Sequence, residues 1–314
     1  MSHLIETMAY RNATPWHGLG NYLTENQPLE VWQREAGMAW QILDTPVMYQ
    51  SDEAVLPFAD NKVLYRSDTL APLSVVSSRY KVVQPHEVLA FYRDLVDVGG
   101  FELETAGVLK GGKKLWALAR TGQETLLKGG DRVKAYLLLA TACDGTLATT
   151  AQFTSVRVVC NNTLQMATHD ASGAIKVPHS TQFDPDRVKQ SLGIGLGAWQ
   201  RFVDEMRSMA ECKVTTFEAR RYLIDVLGDT TLPIYEQPND KALNRVFSLF
   251  NGGGLGSALS AANDTVWGLL NAVTQYIDHE RRARTVDNRL DSAWFGQGAA
   301  IKQRALNTAL LLVA

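Results

Sequence analysis

Apolar residues along this chain follow two different periods. Up to about residue 180 they come in short runs bounded by Gly, Asn, Asp and Pro, and from Asp184 onward they recur at helical spacing. The most organised stretch is Ala135 to Met166, AYLLLATACDGTLATTAQFTSVRVVCNNTLQM. Its apolar run Tyr136 to Ala142 is interrupted by Cys143-Asp144-Gly145-Thr146, and Leu147 to Val159 resumes in Thr, Val and Phe. Asp-Gly between two such runs predicts a hairpin closed by a type I′ turn, with positive φ at both central residues. The second run meets Cys160-Asn161-Asn162-Thr163, read here as a helix cap leading into LQMAT. Arg157, Cys160, Asn161 and Asn162 therefore gather where a strand ends.

On either side, the pattern predicts a short helix over Pro28–Ala36 and strands over Trp40–Tyr49, broken by Pro46, and Lys62–Arg66. A hairpin over Ser74–Gln84 and a helix from Pro85 through Val98 come next. Strands over Phe101–Leu109 and Lys113–Arg120 then lead into the central hairpin. Helices are predicted from the Asp184 cap to Ala210, from Thr215 or Thr216 to Leu227, and from Pro238 or Asn239 to Phe250. Two more run from Asp264 or Thr265 to about Arg284 and from Gly298 to Val313. This order is that of an α+β protein. It has an antiparallel β-hairpin sheet with packed helices in residues 1–180 and a mainly helical part in residues 181–314.

Charge adds an asymmetry. The net charge is −2, yet residues 1–106 carry 7 Lys/Arg against 14 Asp/Glu. Residues 107–134 carry 7 Lys/Arg against Glu124 and Asp131 alone. Two turns in that basic segment, Lys110-Gly111-Gly112-Lys113 and Lys128-Gly129-Gly130-Asp131, join lysines to paired glycines. The G-x-x-x-x-G-K-[ST] pattern of a phosphate-binding loop is absent, so they read as hairpin tips. Lysine-tipped hairpins suit a polyanion held by its backbone, without sequence readout.

Candidate chemistry is sparse. Three cysteines without CxxC spacing point to reduced thiols in a cytoplasm and away from zinc. The N-terminus has neither the basic nor the apolar region of a secretory signal, and no apolar run approaches the roughly 18 residues that span a bilayer. Gly193-Ile194-Gly195-Leu196-Gly197 lacks the strand and spacing of a dinucleotide fingerprint. Trp16 and His17, in a rigid turn before Gly18, support a site near the N-terminus; a lone His beside Trp is commonly structural. Cys160 with His17 or His169 would make a thiol nucleophile, but free cysteines are usually small buried hydrophobes. Asp278, His279, Asp287 and Asp291 interleave with Arg281, Arg282, Arg284 and Arg289, a pattern of ion pairs on a solvated helix. No catalytic set, metal site or cofactor motif is complete, and an enzyme on Cys160 is the weakest reading.

PWHGLG, the ACDG turn, RVVCNNTL, TVWGLLNAVTQYIDH and SAWFGQGAAIKQRAL together resemble an uncharacterised phage- and plasmid-associated protein family, "phage/plasmid-like protein". Cys143 stands where that family would place His before Asp-Gly, which weakens acid–base work at this position. The resemblance implies a mobile-element context and names no reaction. With the basic hairpins, it yields the expectation of a nucleic-acid-binding protein, with single-stranded DNA favoured, in annealing or recombination. The residues expected to hold the strand are Lys110, Lys113, Lys114, Lys128, Arg132, Lys134 and Arg157, with Trp16, His17, Asn161 and Asn162 in support. A homo-oligomer and no membrane contact are expected. The alternative is a host-interaction or defence-modulating protein docking through the acidic residues 1–106.

Overall fold

The computed structural model describes residues 5–11, 20–93, 95, 101–159, 162–165, 174–193, 197–237 and 240–314. The protein is α+β, with mostly antiparallel strands in its N-terminal half and helices toward its C-terminus. Its contacts define two compact units. The first comprises Met1–Gly122, Tyr136–Phe153 and Ser172–Gly195; the second comprises Gln123–Ala135, Thr154–Ala171 and Leu196–Ala314. A division near residue 180 follows the change in secondary structure, whereas these contacts assign two strand-bearing segments to the helical unit.

In the first unit, β1 (Ile5–Tyr10) lies antiparallel to β6 (Glu102–Leu109), which pairs with β7 (Lys114–Leu127). β8 (Asp131–Ala142), β9 (Thr149–Arg157) and β10 (Asn162–Gln165) follow in the strand order; β10, the start of β8 and the end of β9 belong to the second unit. The short β2 (Asn21–Tyr22) flanks β1, and β11 (Ala174–Val177) pairs with β9. A run such as Leu115–Ala119, buried at every residue, has both faces covered, so it shows no polar alternation. The turn between β8 and β9 differs from the expected type I′. It spans residues 143–148, and of Asp144 and Gly145 only Gly145 has positive φ, at 75°. The Asp144 carboxylate explains this by accepting from the Thr146 backbone N–H at 3.0 Å and its hydroxyl at 2.6 Å, which folds an Asx turn.

A separate antiparallel sheet has the order β3 (Ile42–Gln50), β4 (Val55–Arg66), β5 (Pro72–Ser77). Pro46 does not break β3, because it sits on an edge strand at a register shift where no ladder hydrogen bond is needed. The expected hairpin over Ser74–Gln84 has only its first strand; the Lys81 N–H bonds instead to the His179 carbonyl. Among the described residues, the unit's helices are α1 (Leu29–Glu35), α2 (Pro85–Ala90) and α3 (Pro185–Gly193). Gln84 shares a capping box with Glu87, and its side-chain amide clamps both backbone groups of Ile42.

The second unit is built on α4 (Gly197–Glu211), α5 (Thr216–Leu227), α6 (Asp240–Ser248), α7 (Val266–Gln275), α8 (Val286–Phe295) and α9 (Gln297–Leu311). Thr215 and Thr265 are the expected caps, each hydroxyl accepting from a first-turn N–H. α7 stops short of Arg284 in a wider π-wound turn, Tyr276–Glu280, whose last N–H, that of Arg281, reaches back to the Tyr276 carbonyl. All ten residues of α7 are buried, and α9 packs against α5, α7 and α8. Where a helix is predicted after Cys160, the described residues are extended. Asn162–Gln165 forms β10, pairing antiparallel with the end of β9 from Asn162↔Arg157 to Gln165↔Thr154.

Candidate functional site

The second unit buries charge where β8, β9 and β10 meet its helices. Asp131 opens β8 directly after Gly130 and is fully enclosed, at 0 % exposure. Arg157 closes β9 at 3 %. Its Nε lies 2.8 and 2.9 Å from the two Asp131 oxygens, and Nη2 lies 2.7 Å from Oδ2. The indole Nε1 of Trp267, on α7, donates to the same Oδ2 at 3.0 Å. The far side of the guanidinium donates to the carbonyls of Leu255 and Gly256, at 3.3 and 3.0 Å. Gly256, at φ +67°, brings its backbone so close that a Cβ would stand 2.7 Å from Val159. This fork-on-carboxylate geometry is what makes a buried pair tolerable: each charge has donors or acceptors on every side.

A second pair lies in the same unit. Lys302 of α9 is 3 % exposed, and its Nζ donates to Asp278 Oδ1 at 2.7 Å, Thr163 Oγ1 at 2.8 Å and the Thr163 carbonyl at 2.9 Å. Three acceptors thus saturate the three ammonium protons. The other Asp278 oxygen accepts from the Thr163 N–H at 2.8 Å and its hydroxyl at 3.1 Å. Beside it, Asn162 donates to the Asn271 carbonyl at 3.1 Å, and its Oδ1 accepts from His279 Nε2 at 3.1 Å. Asp278 and His279 occupy the π-wound turn, a feature that recurs at functional sites. Within the apolar α7, Asn271 donates to the Trp267 carbonyl, and Gln275 Oε1 accepts from the Leu255 N–H.

RVVCNNTL, TVWGLLNAVTQYIDH and WFGQGAAIKQRAL, distant in sequence, therefore converge on one buried polar network. The Thr163 hydroxyl donates to Asp278 and accepts from Lys302, which fixes its orientation. Sequence reasoning placed Asp278 on a solvated helix face; its burial and its pairing with Lys302 correct that. Lys302 was legible as the one basic residue on the apolar stripe of GAAIKQRAL, and Asp131 as a carboxylate opening a strand.

The expected strand-binding residues separate. Lys110 and Lys113, at the β6–β7 tip, are half-buried; Lys128, at the β7–β8 tip, is exposed; Lys134 is half-buried. Arg132 is exposed and bonded to Glu124 at 2.6 Å. Lys114, at 5 % exposure, and Arg157 are buried, so neither is available to a phosphate backbone. Arg120, also in the basic segment, bonds Glu102 at 2.8 Å and holds that carboxyl below its usual range. Trp16, His17, Cys160, Asn161 and His169 lie outside the described residues. Cys143 is buried against the Gly112 and Lys113 carbonyls, and burial pushes its thiol up to about 12. Among the described residues, no three His, Cys, Asp or Glu side chains are grouped to hold a metal ion, and no helix is long and apolar enough to cross a membrane.

The first unit has two open clefts beside α1. One, of 410 Å³, is lined by Arg11, Trp32, Tyr92 and Glu102; the other, of 660 Å³, by Gln33, Trp40 and His86; Arg93 borders both. No curated protein and no solved structure matches the chain. Residues 72–294 of the 314 match one family profile, a span that holds Asp131, Arg157, Thr163, Trp267 and Asp278 and ends before Lys302. The chain belongs to the family described as Domain of unknown function (DUF932).

Proposed function

We propose that this is a cytoplasmic, phage- or plasmid-associated protein that binds nucleic acid, with single-stranded DNA favoured, and acts in annealing during recombination or replication. The observation that supports the reading best is the form of the two glycine tips. Gly111 and Gly130 have φ of +69° and +81°, and a Cβ on either would meet nothing within 4 Å. Lys110 itself is held at φ +55°, a left-handed conformation that costs a lysine energy. Each tip therefore bares the backbone of one glycine beside a lysine, exposed at Lys128 and half-buried at Lys110, which suits phosphate oxygens and ignores base identity. Annealing asks for no catalytic group, and the enclosed network of the second unit offers none to a substrate.

The test is fluorescence anisotropy of a labelled oligothymidylate titrated with the full chain across a salt series. Binding should be measurable at low salt and weaken as salt rises. Replacing Lys110, Lys113 and Lys128 with Glu should lower affinity and flatten the log–log salt slope by about 0.7 per lost phosphate contact. Lys128→Glu alone should hardly move the melting temperature, since exposed charges contribute little to stability; Lys110 and Lys113 are half-buried, so the triple variant is compared once its circular dichroism matches the wild type. No binding by the wild type at low salt, or unchanged affinity in the folded triple variant, would sink the proposal. The alternative of a protein-docking role rests on a different element, the β3–β4 ribbon.

A further inference from the structure

Beyond its bulge, the β3–β4 hairpin leaves the sheet that carries it. β5 pairs with Asn61–Tyr65, so among the described residues the outer part of β4 has β3 as its sole strand partner. From Leu43 to Asp60 every residue is exposed except Val47, which is half-buried. A two-stranded ribbon open on both faces and both edges is marginal in water on its own. Its composition is also wrong for water. The pairs Val47↔Phe58 and Tyr49↔Leu56 put four apolar side chains on one face, with Tyr49 at 50 %, Phe58 at 47 % and Leu56 at 40 % exposure.

Charge narrows what covers this face. Residues 44–60 carry Asp44, Asp52, Glu53 and Asp60 and no Lys, Arg or His. Such a ribbon repels a phosphate backbone, and its Asp52-Glu53 tip resists entry into a lipid layer. The ribbon's root holds both signs: Lys62 is paired with Asp44 at 2.9 Å, and Asp60 lies beside them. The Ser78 N–H bonds the Asp60 carbonyl at 2.8 Å, so Arg79 and Lys81, both exposed, add two cations there.

We propose that two copies of this chain associate through these ribbons, packed antiparallel about a twofold axis. The apolar faces meet, and each acidic tip lies on its partner's Arg79 and Lys81. Antiparallel packing follows from the charges, because a parallel pair would bring the two acidic tips together. At about 200 Å² for a fully accessible aromatic side chain, the four residues of that face leave on the order of 300 Å² uncovered. A twofold contact doubles this to about 600 Å² of apolar surface, the core of an interface that the polar flanks and the tip–root contacts extend toward the roughly 1,200 Å² of stable associations. A surface that is self-complementary in this way closes as a dimer.

Light scattering and sedimentation velocity on the full chain at micromolar concentration test this. The wild type should have twice the chain mass of 34.7 kDa. Tyr49→Asp with Phe58→Asp should give a monomer with unchanged circular dichroism and melting temperature, since neither side chain belongs to the core. Charge reversal gives the sharper reading. Asp52→Lys/Glu53→Lys alone, and Arg79→Glu/Lys81→Glu alone, should each be monomeric, whereas their equimolar mixture should regain the dimer through opposite tips and roots. A monomeric wild type overturns the proposal, whether or not it floats with neutral vesicles. A face variant that keeps the wild-type mass, or a mixture that stays monomeric, overturns it equally.

Discussion

Arg157 was legible as a residue that must be buried and bonded, because a guanidinium ending an apolar strand has to find acceptors. Its backbone acceptors are there, but its carboxylate is Asp131, not one from residues 1–106. The answer was implicit in the hairpin. Strands folded about Asp144-Gly145 bring Arg157 opposite the start of β8, and the Val158 N–H indeed bonds the Arg132 carbonyl at 2.9 Å. Arg157→Met would leave the Asp131 carboxylate enclosed with Trp267 as its remaining side-chain donor. Urea unfolding should show a loss of about 3–5 kcal/mol, the usual cost of breaking a buried pair from one side. Adding Asp131→Leu to that variant should cost less than the two single changes summed, because the second change removes the orphaned charge. A single-variant loss below about 1 kcal/mol would mean that water or another cation reaches Asp131.

Elements with a local cause were read correctly, and those decided from a distance were not. Thr215, Asp184 and Thr265 cap helices because a hydroxyl or carboxylate within three residues takes an N–H, which sequence displays directly. Asn162-Thr163 displays the same signal, yet forms a strand. The Thr163 N–H goes to Asp278, more than a hundred residues away, and Thr154 closes on the Leu164 carbonyl. Nor could the stripe of α9 say that a lysine within it would be neutralised in the core. α9 buries Ile301, Lys302, Ala305, Leu306 and Ala309, and its Ala305 carbonyl accepts from the Tyr222 hydroxyl at 2.9 Å. Truncation before Gly298 removes about 1.5–3 kcal/mol for each buried Ile or Leu. It also strands the Asp278 carboxylate without its cation, a further loss of about 3–5 kcal/mol. Against a typical stability of about 5–15 kcal/mol, the truncated chain should lose its cooperative thermal transition. A sharp transition near the wild-type temperature would make α9 dispensable.

For the molecule as a whole, secondary structure and compactness cut the chain differently. The change from strands to helices near residue 180 is visible in hydrophobic period alone. Which strand segments complete the helical unit is not, because that depends on side chains that meet only after folding. Gln123–Ala135 brings Asp131 to Trp267, and Thr154–Ala171 brings Arg157 to the Leu255 and Gly256 carbonyls and Thr163 to Asp278. A fragment of residues 196–314 lacks all three. It keeps the Lys302–Asp278 pair, but Lys302 loses its two Thr163 acceptors, and Trp267 Nε1 and the Leu255 carbonyl lose the partners that Asp131 and Arg157 supply, while the Gly256 and Asn271 carbonyls keep the Leu259 N–H and the Thr274 hydroxyl. Each buried polar group left unmatched costs about 1–3 kcal/mol, a large share of the stability of a domain this size. Expressed alone, the fragment should show helical far-ultraviolet circular dichroism with weak near-ultraviolet bands and a broad, non-cooperative melt. Strong near-ultraviolet bands with a single sharp transition would show that the helices close their own core, and that the buried network serves only to join the strand ends to it.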